Sequence, residues 1–185
     1  NQIGTPAKMK RDKSEGQDGL NREPSQTAAA HAATQNPNLL EYGNGAARIS
    51  DFYVTDAAGT ATSAVEKGTE FIVHMHVQFT KDTAAPIFAF TFKNTLGIEI
   101  TGTNTMVEKA FLEPVKAGES KEITFTQKMS LQGGEYLISF GVTGFENGSF
   151  TVYHRVYDAL NITVVSDKNT VGYYDMNSTV QITDG

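Results

Sequence analysis

Ten residues, "EFIVHMHVQF" from Glu70 to Phe79, alternate between two faces without a break. Phe71, Val73, Met75, Val77 and Phe79 fall on one side of such a segment, and Ile72, His74, His76 and Gln78 on the other. Period two is the mark of a strand that buries one face. The same beat runs through Phe88, Phe90 and Phe92, then through Ile123, Phe125, Gln127 and Met129, set against Thr124, Thr126 and Lys128. It returns in Tyr136, Ile138, Phe140 and Val142, set against Leu137, Ser139 and Gly141, and "YDALNITVV" adds a further strand. A short last strand is expected over residues 179–183. Gln132-Gly133-Gly134-Glu135 predicts a tight hairpin, because glycine supplies the positive φ such turns need. No stretch of useful length has helical period. Seven or eight short strands divided by turn signals predict an all-β chain, an antiparallel β-sandwich of immunoglobulin-like or jelly-roll type.

All seven Tyr and all 11 Phe lie at or after Tyr42. A segment without aromatics and rich in Lys, Gln, Asn, Ser and Ala cannot bury enough surface to offset its ordering entropy. Residues 1–41 are therefore expected to be a flexible linker, His31 included, and residues 42–185 the folded domain. The linker carries five Lys/Arg and five Asp/Glu, so the net charge of −6 belongs to the domain. An acidic domain argues against nucleic acid as a partner, since phosphate contacts need clustered Lys and Arg. The absence of cysteine excludes disulfides and thiolate chemistry. No apolar run approaches the roughly 20 residues of a membrane span. The opening Asn1-Gln2-Ile3-Gly4 has neither an initiator Met nor the plan of a signal peptide, which suggests a piece of a longer chain.

No catalytic constellation stands out, and no cofactor is expected. His74 and His76 share a strand face and invite a metal, but no Asp, Glu or Cys is paired with them in sequence, so two solvent-facing residues is the simpler reading. Gly133-Gly134 is a turn, and no G-x-x-x-x-G-K-[ST] occurs, so this stretch does not hydrolyse nucleotide by that route. N-x-[ST] triplets at Asn147, Asn161 and Asn177 matter only in a secreted eukaryotic protein. "VYHRVYDAL", residues 152–160, gathers Tyr153, His154, Arg155, Tyr157 and Asp158. It reads either as a loop capping the sandwich or as an aromatic-plus-donor cluster for a sugar, whose C–H faces lie on rings while polar groups bond its hydroxyls. Gly102-Thr103-Asn104-Thr105 reads as a corner, glycine for a bend and the polar side chains for backbone left open where a strand ends. A direct sugar contact by Asn104 is the alternative.

Several stretches together resemble one family, the C-terminal domain of Wzt-type subunits. These are the ATPase chains of bacterial ABC transporters that export O-antigen and related polysaccharides. The resemblance is carried by "EYGNGAARISDFYVTDAAGTAT" (residues 41–62), "FAFTFKNTLGIEITGTNT" (88–105), "GGEYLISFGV" (133–142) and "VYHRVYDALNITVV" (152–165), and covers roughly residues 41–183. It implies a β-sandwich that binds the exported glycan without catalysis, placed after a linker and an upstream ATPase domain. It also implies a cytoplasmic location at the inner face of the inner membrane, a transmembrane permease as partner, and a homodimer. The family's sugar-contact residues are not carried over, because the glycan differs between systems.

For dimerisation the sequence offers "SDKNTVGYYDMNS", residues 166–178, as a hinge before the expected last strand, which could pair with a partner's sheet edge. For the glycan it offers a face of small and polar residues, Ala89, Thr91, Lys93, Ser139, Gly141 and Thr143, opposite the phenylalanine face of the same strands. Asn161 and Thr163 would extend that surface, with Tyr153, His154 and Arg155 as its rim. The face bearing His74, His76 and Gln78 ranks second, because it lacks small residues at its floor. The competing reading is a purely structural sandwich for dimerisation or protein docking; a jelly-roll enzyme comes third.

Overall fold

The computed structural model describes residues 35–185. The expected 1–34 part of the linker, with His31, lies outside the described residues. Among the described residues nine strands form: β1 (Leu40–Tyr42), β2 (Ala47–Asp56), β3 (Ala64–Glu66), β4 (Glu70–Phe79), β5 (Ile87–Asn94), β6 (Glu99–Asn104), β7 (Ser120–Lys128), β8 (Gly134–Glu146) and β9 (Ser149–Val165). One sheet runs in the order β1-β9-β8-β5-β6, with β3 added parallel to the far end of β9, and the second runs β2-β4-β7. All other pairings are antiparallel. The chain is thus the antiparallel β-sandwich that its alternation predicts, and no helix among the described residues is long and apolar enough to cross a membrane.

The core sits between the sheets and is joined by phenylalanine. Phe52 of β2 stacks on Phe140 of β8 with ring centroids 5.1 Å apart. Phe125 of β7 meets Phe90 of β5 edge-on at 4.9 Å, and Phe71 and Phe79 of β4 meet Phe92 and Phe88 of β5 at 6.1 and 6.3 Å. Each buried Phe contributes on the order of 1.5–3 kcal/mol of transfer free energy, so these rings supply much of what holds one sheet on the other.

Four expectations need correction. Gln132–Glu135 is not a hairpin: β7 pairs with β4 in one sheet while β8 pairs with β5 and β9 in the other, so the chain crosses the sandwich between Lys128 and Gly134, and Gly134 and Glu135 already belong to β8. Residues 152–160 are not a loop but the middle of β9. Residues 179–183 form no strand, and Val180 and Ile182 stand 80% and 90% exposed. Gly102 makes no bend; it lies inside β6 opposite Thr91, where a Cβ would stand 2.5 Å from the carbonyl oxygen of Phe90. The other half of that corner is as expected, with the Asn104 Oδ1 accepting from Val107 N at 2.9 Å and the Thr105 Oγ1 from Phe88 N at 3.1 Å. The expected linker boundary at 41/42 falls inside β1.

The segment after β9 is clasped rather than loose up to residue 177. Asp175, nearly buried, receives Lys67 Nζ at 2.9 Å and Lys168 Nζ at 3.0 Å, and accepts from Asn177 N at 2.8 Å. The Tyr173 hydroxyl accepts from Asn94 Nδ2 at 2.8 Å, and Asn169 Oδ1 accepts from Gly133 N at 2.8 Å. The Lys67 hydrogen bond leads in holding the Asp175 carboxyl well below the usual carboxylate range.

Candidate functional site

On the outer face of the larger sheet, strand register lines up a transverse row: Tyr42, Arg155, Gly141, Ala89 and Asn104, one from each of β1, β9, β8, β5 and β6. A second row sets Ser139 beside Thr91 and Thr91 beside Gly102. The middle of this surface is a basin of about 280 Å³ lined by Ala89, Thr91, Lys93, Ser139, Gly141, Arg155 and Tyr157, with Glu99 at its edge. The floor is low because its side chains are small, and the rim carries the cations and rings.

Two irregularities in β9 build that rim. Tyr157, Asp158 and Ala159 bulge against Ser139, between the Ile138–Leu160 and Phe140–Val156 pairs. Asp158 takes a left-handed φ of 49°, and its amide donates to Ser139 Oγ at 2.9 Å. Lys93 Nζ reaches the Asp158 carboxylate at 3.2 Å and stands 4.8 Å from the centroid of the Tyr157 ring. Ser139 Oγ lies 3.3 Å from the same carboxylate oxygen. Tyr157 in turn stacks on Tyr42 at 5.9 Å. A hydrogen bond from the Arg155 guanidinium holds the Tyr157 phenol below its ordinary pKa, and the Tyr42 phenol, which bonds to Tyr157, is raised.

The second bulge overturns part of the expected rim. β9 has one extra residue, Tyr153, opposite Val142 and Thr143. A bulge breaks the alternation, and here it turns both Tyr153 and His154 inward. Tyr153 is buried, its ring over Gly144, where a Cβ would stand 2.6 Å from the phenol oxygen. His154 is buried as well, its Nδ1 accepting from Ile49 N at 3.1 Å and its Nε2 3.3 Å from Glu41 Oε2. Neither can serve as a rim contact. Thr143 is buried outside the basin, and Asn161 is exposed on the same sheet beside Leu137, beyond the Asp158 bulge. Thr91, Lys93, Ser139 and Arg155 do come together. Tyr157, part of the 152–160 cluster in the sequence, joins them at the basin, and Tyr42 of β1 stands next to it outside the lining, a neighbour that period-two reading does not reveal.

Burial is the largest influence on His154 and lowers its pKa below the ordinary imidazole value; Glu41 opposes that shift and Arg48 adds to it. A histidine depressed in the folded state contributes fully above its unfolded value of about 6.5 and loses stability as pH falls below it. Asp175 is depressed too, but as a carboxylate, so its contribution persists until strong acid. The melting temperature is expected to fall in two stages on acidification, one setting in below about pH 6.5 and one in the acid carboxylate range. His154→Gln, whose amide can still accept from Ile49 N, should flatten the first stage only. A melting curve unaffected by pH between 7 and 5 would contradict this.

The rival face is built differently. Tyr53 and His74 stack at 4.4 Å, His74 Nε2 lies 3.0 Å from Thr55 Oγ1, and Glu122 Oε1 stands 3.5 Å from His74 Nδ1 and 3.7 Å from His76 Nε2. Gln78 sits further along β4, beside Arg48 and Ser120. These rings are engaged with one another, leaving no floor, and no cluster of three or more His, Asp or Glu among the described residues could hold a metal ion. A larger cleft, about 1010 Å³, opens between the sheets where β6 and β7 form their edges. Its floor is core, with Phe71, Phe92, Phe125 and Met129, so it suits apolar side chains rather than hydroxyls.

No curated protein matches the chain. Among solved structures, a crystal structure of the C-terminal domain of wzt matches with a TM-score of 0.74 at 23% identity, over 81% of this chain and 92% of that one. A Niemann-Pick type C2 protein from Japanese carpenter ant follows at 0.47 and 10% identity, over 68% and 99%. The family model described as the Wzt C-terminal domain matches residues 38–176. The chain belongs to the Wzt C-terminal domain family.

Proposed function

We propose that this domain binds a bacterial polysaccharide in the basin on its larger sheet, without chemistry, as the recognition part of a Wzt-type ABC transporter that exports the glycan. The observation that carries the reading is the basin's construction: Ala89 and Gly141 at the floor, with Lys93, Arg155 and Tyr157 around it. A pyranose ring can lie close on a floor that small, while cations and hydroxyls bond its substituents and a tyrosine ring covers its C–H face. In that reading the domain sits on the cytoplasmic side of the inner membrane, beside a permease, and residues before Gln35 link it to an ATPase domain. Calorimetric titration with polysaccharide purified from the cells that make this protein tests it. Saturable heat without release of smaller saccharides supports it; no binding at millimolar saccharide would sink it in favour of a purely structural domain.

We also propose that two copies pair through their C-terminal residues. Val180 and Ile182 alternate with polar residues and are almost fully exposed, while β6 and β7 present edges beside the apolar cleft, and Leu131 and Tyr174, bridged to each other, sit at its margin. Such an edge invites a strand from a second chain. Truncation after Asn177 keeps the Asp175 clasp and removes only the tail. Light scattering should then report a monomer where the whole chain is a dimer. An unchanged dimer would remove the tail from the mechanism, and a monomeric whole chain would remove the pairing.

A further inference from the structure

β1 is a three-residue edge strand, exposed along its length, and it is the first strand of the described chain. The residues that hold it down land on the basin's own supports. Asn36 N donates to Ala159 O at 2.9 Å, and Asn36 Nδ2 to the carbonyl of Asp158 at 3.1 Å. Asp158 is the residue whose carboxylate receives Lys93 at the basin edge. Tyr42 lies opposite Arg155 and stacks on Tyr157, and both of those residues line the basin. Gln35 Nε2 reaches Asp51 Oδ1 at 3.1 Å, and Glu41 meets His154 at 3.3 Å, which ties the same segment to β2 and β9.

We infer that Tyr42 is a ligand-contacting residue and that residues 35–42 form a detachable wall of the basin, seated more firmly when saccharide is bound. The inference rests on the basin reading above. The Tyr42–Arg155–Gly141–Ala89–Asn104 row crosses five strands, and with neighbouring strands about 4.8 Å apart it spans roughly 19 Å, longer than one sugar unit. A saccharide lying along it from the small floor past Arg155 reaches Tyr42 next. That ring is in place only when β1 is paired. A short, exposed edge element opens locally at a lower free-energy cost than the strands paired on both sides, so its seating is open to bias by a ligand. By reciprocity, a ligand that favours the seated wall is itself bound more tightly by it, and loosening the wall weakens the ligand by the same factor.

The test uses the whole 185-residue chain and the same purified polysaccharide. Hydrogen exchange of the amides of residues 36 and 38–42 should slow several-fold at saturating polysaccharide, with the far side of the sandwich, β4 and β7, unchanged. Tyr42→Ala should weaken binding by up to about tenfold, and Tyr42→Phe, which keeps the ring, by less than about threefold. A half-exposed edge residue is not needed for folding, and circular dichroism checks that point. Binding by Tyr42→Ala within about twofold of the unaltered chain, or unchanged exchange over 36–42, overturns the inference and leaves the basin reading standing. No binding by the unaltered chain takes down both.

Discussion

Gly141→Leu is expected to abolish polysaccharide binding while leaving the sandwich folded. Gly141 does not have a left-handed φ, so the backbone accepts a side chain there. A Cβ at this position would meet only Arg155 Cγ and Nε, both at 3.5 Å, which is ordinary contact. The rest of a leucine has one place to go, the basin of about 280 Å³ above it. Filling the floor lifts a sugar ring off its contacts and separates it from Lys93 and Tyr157 at once. The loss should exceed ~100-fold, or ~2.7 kcal/mol. Gly141→Ala adds one methyl group at contact distance and should cost about tenfold or less. Ser139 is a poorer choice for such a test, because its hydroxyl holds the Asp158 amide and a substitution there would disturb the bulge as well. His76→Ala, on the smaller sheet, is the control and should bind as the unaltered chain does. If His76→Ala lost binding and Gly141→Leu kept it, the site would move to the smaller sheet.

How far the sequence reveals this site depends on where β9 departs from regular geometry. β4 keeps its alternation for ten residues, so the inward set Phe71, Val73, Met75, Val77 and Phe79 is legible without a structure, and all five are buried. β5 and β8 are equally regular, which is why Thr91, Lys93, Ser139 and Gly141 fall on one face, side by side. β9 runs for 17 residues through two bulges, and each changes which side chains face the basin. Counting by twos through Tyr153 puts it outward with Arg155; the extra residue puts it in the core instead. Asp158 carries the left-handed φ of the larger bulge, a conformation that asparagine and aspartate tolerate better than most residues, but nothing local marks it as a bulge rather than a turn. The connection around Gln132–Glu135 is illegible in the sequence for a different reason. Glycines in sequence give a turn, but whether the next strand returns to the same sheet or crosses to the other is decided by pairings distant in sequence. Tyr42 comes beside Tyr157 only through the pairing of β1, whose three exposed residues have no pattern of their own.

Phe140→Ala should be among the most destabilising single changes in the domain, and it connects the core to the basin. Phe140 lies in β8 between Ser139 and Gly141, 2% exposed, with its ring stacked 5.1 Å from Phe52 of the opposite sheet. Truncating a buried phenylalanine costs about 3–5 kcal/mol, from lost transfer free energy and the cavity left behind. Against the 5–15 kcal/mol that holds a typical domain, that is a large share, and for a chain of this size it should lower the melting temperature by about 10 °C. The sheet cannot collapse easily into the gap, because β8 is paired on both sides, to β5 and to β9. Phe140→Leu retains most of the volume and should cost far less, about 1–1.5 kcal/mol. The Phe52 contact can be isolated by a double-mutant cycle with Phe52→Ala, expected to give a coupling of about 0.5–1.5 kcal/mol. A loss under 1 kcal/mol for Phe140→Ala would mean that the two sheets are not joined at this pair. If instead the stability loss appears as expected and polysaccharide binding weakens with it under folding conditions, the basin floor depends on the packing beneath it as well as on the small residues that form it.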